Sequence, residues 1–173
     1  MAFIRTLTLT QSLAIVLLGM LVVIGSALGF EHLGGYVPCA LCLEQRTPYY
    51  LAIPFLALGV VSALAKWSTC IGRAMLAIGL CCLVATALLG IYHSGVEWGI
   101  FAAPQSCGAG ISGAASDAGS LLESLADSVP PSCDEAAGRL LGISFANANV
   151  IAAVVLAIIA SIGLMQKTKP ETA

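Results

Sequence analysis

The chain has 173 residues, of which 59% are apolar and only 9% charged, and its net charge is -2. A water-facing domain carries about 25% charged residues, so this composition excludes an ordinary soluble protein, and its hydrophobicity excludes a disordered one. Seven Lys+Arg against nine Asp+Glu leave no basic footprint for nucleic acid.

Uncharged runs mark the elements in chain order. No charge falls between Arg5 and Glu31, and Leu13 to Leu28 is dense in Leu, Ile and Val. Nineteen uncharged residues separate Arg46 from Lys66, Ala74 to Tyr92 is apolar, and twenty-seven uncharged residues separate Arg139 from Lys167. Each run can cross about 30 Å of hydrocarbon as a helix, the form in which a single segment satisfies its own backbone in lipid. Helices are therefore expected at about 10–30, 46–65, 73–92 and 145–166, in one membrane domain spanning 1–173. The first run exceeds the 7–15 residues usual for a signal-peptide core, which favours a retained helix. Pro54 is tolerable inside a packed transmembrane helix.

The connections set the orientation. With both termini cytoplasmic, that side holds Arg5, Lys66, Arg73, Lys167 and Lys169, and the other side holds only Arg46 and Arg139. Basic residues accumulate on the cytoplasmic side, so five against two supports this arrangement. The outer loops are then 31–45 and 93–144. The second is long for a small bundle, as functional loops often are. Within it Leu121, Leu122, Leu125 and Val129 recur at helical spacing.

Seven cysteines divide between the two sides. Cys39 and Cys42 form a C-x-x-C ahead of the second helix, and Cys107 and Cys133 lie in the long outer loop. All four face the side on which disulfides persist. Cys70, Cys81 and Cys82 fall in the inner turn or in lipid, where cysteine serves as a small apolar residue. A C-x-x-C can be a redox pair or half of a zinc site. Zinc would want four ligands, available from the four outer cysteines with His32 and His93 nearby, but no second close-spaced pair exists and no metal is expected. At a helix N-terminus, unpaired amides and the macrodipole favour a thiolate. Arg46, four residues after Cys42, lies on the same helix face. It suits either a headgroup contact or a fixed cation beside a thiolate.

The run Cys39-Ala40-Leu41-Cys42-Leu43-Glu44-Gln45-Arg46 resembles the C-x-L-C-x-x-Q-R signature of the DsbB family, the bacterial inner-membrane quinone reductases that reoxidise the periplasmic dithiol oxidase DsbA. The resemblance covers nearly the whole chain, including the Cys107-Gly108, Pro131-Ser132-Cys133 and Leu141-Gly142-Ile143-Ser144 contexts. The aromatic residues expected between the last loop cysteine and the fourth helix are missing, with Gly138 and Asn147 in that stretch.

The resemblance implies an all-α four-helix membrane bundle that carries a disulfide relay. A periplasmic DsbA-like thioredoxin-fold partner attacks a Cys107–Cys133 disulfide at Cys107, Cys133 exchanges with Cys39, and Cys42 delivers electrons to a membrane quinone, ubiquinone or menaquinone. Arg46 and Cys42 are the implied quinone-side residues. His93 matches a family position for the same role, although a structural histidine is the simpler reading. Two alternatives stand beside it. A vitamin K epoxide reductase-like four-helix enzyme would carry its C-x-x-C late in the chain. A non-enzymatic bundle could be braced by loop disulfides worth about 3–4 kcal/mol, which would not account for Gln45-Arg46.

The charge asymmetry yields the first prediction. In intact spheroplasts, after reduction, a membrane-impermeant maleimide should leave Cys70 unlabelled and should label it after lysis. Labelling of Cys70 from outside would reverse the orientation.

Overall fold

The structure is a computed structural model describing residues 7–104, 107, 132–134, 136, 138–140 and 142–166. The helical spacing at Leu121 to Val129 and the terminal basic residues Arg5, Lys167 and Lys169 lie outside the described residues.

Among the described residues, four helices long and apolar enough to span a membrane make up the bundle: α1 (Leu9–His32), α2 (Ala40–Leu64), α3 (Thr69–Glu97) and α4 (Phe145–Met165). Each begins where a side chain satisfies a free backbone amide. Thr8 starts α1 with a reciprocal cap, its hydroxyl accepting from Gln11 N at 3.3 Å while Gln11 Oε1 accepts from Thr8 N at 2.9 Å. Ser68 caps α3 and Ser144 caps α4, their hydroxyls accepting from Cys70 N and Asn147 N. For α2 the cap is Cys39, whose sulfur accepts from Cys42 N at 3.3 Å. That cap starts the second helix at Ala40 instead of near residue 46. The C-x-x-C is thereby built into the first turn rather than into a preceding loop.

Helix ends are closed with equal economy. Lys66 takes a left-handed φ of 54° after α2, and Trp67 N returns to Ser62 O at 2.9 Å. Arg73, near the start of α3, donates to Leu164 O at the end of α4, tying the two helices together at the end opposite the C-x-x-C. A two-residue antiparallel pairing, Arg139 with Ser144 and Leu140 with Ile143, turns at Gly142 (φ 86°) and leads directly into α4.

α3 packs most closely against α2 and α4, while α1 rests on α2 and α4 and touches α3 least. The shared core holds Leu13, Val16, Met20, Tyr49, Leu56, Leu76 and Leu83, all fully buried or nearly so. Leu18, Leu51, Leu64, Leu88 and Ile158 are exposed on the outside. Apolar residues on both faces are what a lipid-spanning bundle requires.

Close helix contact depends on small residues. At Gly90 a Cβ would lie 2.6 Å from Val150 Cγ2 and 3.3 Å from Gln45 Oε1. Val150 is β-branched and cannot easily turn aside within a helix. Gly90→Ala should therefore force α3 and α4 apart and cost about 1–3 kcal/mol. Gly25, where a Cβ would meet nothing within 4 Å, provides the control. Gly25→Ala should be neutral or stabilising by up to about 1 kcal/mol. Thermal unfolding in detergent measures both, and equal behaviour of the two variants would refute the packing account.

Candidate functional site

One end of the bundle gathers the C-x-x-C, the loop cysteines and an apolar cavity. Cys39 is fully buried ahead of α2, with its sulfur 3.0 Å from Cys42 Sγ and 3.6 Å from His93 Nε2. The two thiols of the motif are free, whereas Cys107 and Cys133 are joined in a disulfide. Cys39 and Cys133, both fully buried, share one cluster with Leu41 and Val96, with Cys42, Tyr92 and Cys107 packed around it. Cys107 is the less buried residue of the loop pair.

The surroundings of Cys39 favour its thiolate form. Hydrogen bonding from the Cys42 thiol is the largest cause, and the His93 ring and Cys42 backbone N–H add to it. Together they outweigh burial and bring the group down to about 4 from the usual 9.0.

Cys42 faces a different environment. It lines a cavity of about 430 Å³ between α1, α2 and α4, with Val22, Ala27 and Ala152 among its apolar walls. Gln45, Arg46, Tyr49 and Asn149 are among its polar residues. Near this lining Phe30, Tyr36 and Phe145 form an aromatic group, with ring centroids 5.0 to 6.2 Å apart. Gly138 makes this packing possible, because a Cβ there would lie 2.4 Å from Phe145 Cε2.

Arg46 lies in the cavity wall, where its guanidinium pairs with the Glu31 carboxylate from the last turn of α1. Sequence alone presents Arg46 as a lone fixed cation and does not identify Glu31 as its partner. The only signal is an acidic residue at the end of an apolar run. His93, expected beside a cofactor, is not among the residues lining the cavity. Its ring lies against Cys39, its Nδ1 is 2.6 Å from Gln45 Nε2, and its Nε2 is 3.8 Å from Glu97 Oε1.

Asn149 and Thr86 also escape a reading of the sequence. Both are polar residues inside apolar runs, which in a membrane span is itself a signal of function. His32 is exposed at the end of α1. Cys39, Cys42 and His93 bring their ligand atoms within 4.8 Å of one another. Cys107 and Cys133, tied in a disulfide, cannot complete a four-thiolate zinc site.

A membrane bundle with a dithiol at one helix end, against a loop disulfide, defines a membrane thiol–disulfide oxidoreductase. The sequence profile described as disulfide bond formation protein DsbB matches residues 10–163, and the chain belongs to that family. No curated protein and no solved structure matches it.

The causes acting on Cys39 predict an order of effects. Thiolate absorbance of the reduced protein should titrate far below the ordinary thiol range. Cys42→Ala should raise the midpoint most and His93→Leu less, so that the thiolate is lost at progressively higher pH. A midpoint near 9 in the parent protein would refute this electrostatic account.

Proposed function

We propose that this protein oxidises a DsbA-like periplasmic dithiol partner and passes the electrons to a membrane quinone, acting from the periplasmic side of a bacterial inner membrane with both termini in the cytoplasm. One observation carries the reading. The two sulfurs of a single C-x-x-C face different surroundings, Cys39 toward the loop disulfide and Cys42 toward an apolar cavity.

The cysteine exchanges balance as follows. A partner thiolate attacks Cys107 Sγ, forming a mixed disulfide and releasing Cys133 as a thiolate. With Cys39 and Cys42 joined as a disulfide, Cys133 attacks Cys39 Sγ and releases Cys42. The partner's second thiol then displaces Cys107 and leaves as the partner disulfide. Cys107 attacks Cys133, restoring the loop bond and releasing Cys39. The outcome is an intact loop disulfide above a reduced Cys39/Cys42 pair, the same combination found in the structure.

The cavity suits a quinone. Its walls are apolar enough for a lipid-soluble ring and tail, and Cys42, Gln45 and Arg46 present a thiol, an amide and a guanidinium from one helix. A bound quinone supplies a two-electron, two-proton acceptor, which matches the oxidation of one dithiol to one disulfide. Arg46 would hold negative charge near Cys42, with Glu31 neutralising it when no other anion is at hand. His93 acts on Cys39 and not on the cavity.

The test is quinone reduction by purified protein supplied with a reduced DsbA-like dithiol. Arg46→Gln should raise the quinone KM and slow reduction by roughly 10- to 100-fold in total, the worth of a charge-assisted contact. Exchange between the partner and the loop disulfide should persist. Combining Arg46→Gln with Glu31→Gln avoids stranding a carboxylate in the cavity and separates a charge effect from misfolding. No quinol formation by the parent protein, or unchanged quinone kinetics in the double variant, would overturn the assignment concerned.

A further inference from the structure

Five polar side chains from three helices form a continuous chain between the cavity and Cys39. Thr86 Oγ1 lies 2.7 Å from Gln45 O, Asn149 Nδ2 lies 3.4 Å from Thr86 Oγ1 and 2.7 Å from Gln45 Oε1, and Tyr49 OH lies 2.8 Å from Asn149 Oδ1. Gln45 Nε2 completes the chain, 2.6 Å from His93 Nδ1. Gln45, Tyr49, Thr86 and His93 are all at most 5% exposed, so these groups must satisfy one another.

Only one set of donor directions satisfies every link. A carbonyl oxygen can only accept, so the single Thr86 hydroxyl hydrogen goes to Gln45 O. Thr86 Oγ1 can then only accept from Asn149, which puts Nδ2 on that side. The amide of Asn149 therefore gives its hydrogens to Thr86 and to Gln45 Oε1, and its oxygen receives Tyr49 O–H. With its own oxygen so occupied, Gln45 turns its NH₂ toward His93 Nδ1. That nitrogen must present a lone pair, and the ring hydrogen sits on Nε2, between Cys39 Sγ at 3.6 Å and Glu97 Oε1 at 3.8 Å.

From this geometry we infer that Gln45 and Asn149 are positioning residues for the thiol chemistry, holding neutral His93 in the tautomer whose Nε2–H donates to the Cys39 sulfur. The hydrogen bonds of Asn149 go to Gln45, Thr86 and Tyr49 and not to the histidine or a cysteine, so it acts through Gln45. The hydroxyl of Thr86 is the element that breaks the symmetry of the two amides, which could otherwise both turn over together. Gln45, Tyr49 and Asn149 also line the cavity, so the residues that orient His93 are ones an occupant would meet. The inference rests on the proposed role of Cys39 as the sulfur that exchanges with Cys133.

The tautomer can be read directly. The chain has two histidines, so ¹⁵N-histidine labelling of full-length protein with His32→Gln leaves one ring signal. In the reduced protein this should show hydrogen on Nε2 and a bare Nδ1. Asn149→Asp supplies only acceptors, so Gln45 should turn over, present its oxygen to the ring and move the hydrogen to Nδ1. Gln45→Glu should do the same without an intermediary. In both variants the equilibrium of the Cys39–Cys42 pair with glutathione at pH 7, read by mass after acid quenching, should shift toward the disulfide by about tenfold, as a donor to the thiolate is lost.

A parent spectrum with hydrogen on Nδ1 overturns the inference even if no variant folds. A tautomer that changes in Gln45→Glu but not in a folded Asn149→Asp removes Asn149 from the device. A changed tautomer with an unchanged glutathione equilibrium removes its effect on Cys39. Neither readout uses a quinone, so failure here is distinguishable from failure of the quinone assignment.

Discussion

A polar group inside a membrane bundle has no water to turn to, and that constraint organises the functional end of this protein. Gln45 on α2, Thr86 and His93 on α3, and Asn149 on α4 satisfy one another across helix boundaries. Such bonds exist only in one mutual register of the helices. Apolar contacts elsewhere in the bundle are non-directional, whereas these require particular donor and acceptor positions. Gly90 removes the side chain that would otherwise keep α3 from α4 and Gln45 at this level. The network and the close packing therefore specify the same arrangement.

That register also separates the two sulfurs of the C-x-x-C. Cys39 occupies the cap position, where it receives a backbone N–H, lies against His93 and shares a buried cluster with Cys133. Cys42, in the first turn, lies on the cavity side with Gln45 and Arg46 one turn further along the same face. A motif of two cysteines with two residues between them can join two compartments of chemistry because a helix cap and a first-turn position point in different directions. The cap is also where a sulfur anion is best stabilised, since the helix leaves its first amides unpaired there.

The Glu31–Arg46 pair follows from the same shortage of water. A guanidinium in an apolar wall is costly unless a counter-charge accompanies it, and α1 provides one from its final turn. Because α1 contacts α2 and α4 more loosely than α3 does, the pair fastens the least tightly held helix at the cavity. The aromatic group of Phe30, Tyr36 and Phe145 joins α1, the connection after it and the start of α4 at the same level.

The sequence by itself determined the four membrane helices, because runs of uncharged residues long enough to cross hydrocarbon have one backbone solution there. It also marked the C-x-x-C and its family, since Gln45-Arg46 after the second cysteine is a local pattern. Periodicity and charge could not determine which residues from different helices meet. Glu31 lies 15 residues from Arg46, His93 lies 54 from Cys39, and Asn149 lies 104 from Gln45. Those contacts depend on helix order, tilt and rotation about each axis, none of which is a local property of the chain. The start of α2 at Ala40 was a smaller matter of the same kind, because a cysteine sulfur acting as a cap is invisible until its geometry is known. Only the tertiary structure decided that His93 serves Cys39 and that Arg46 is paired, because buried polar groups take their roles from the partners that packing gives them.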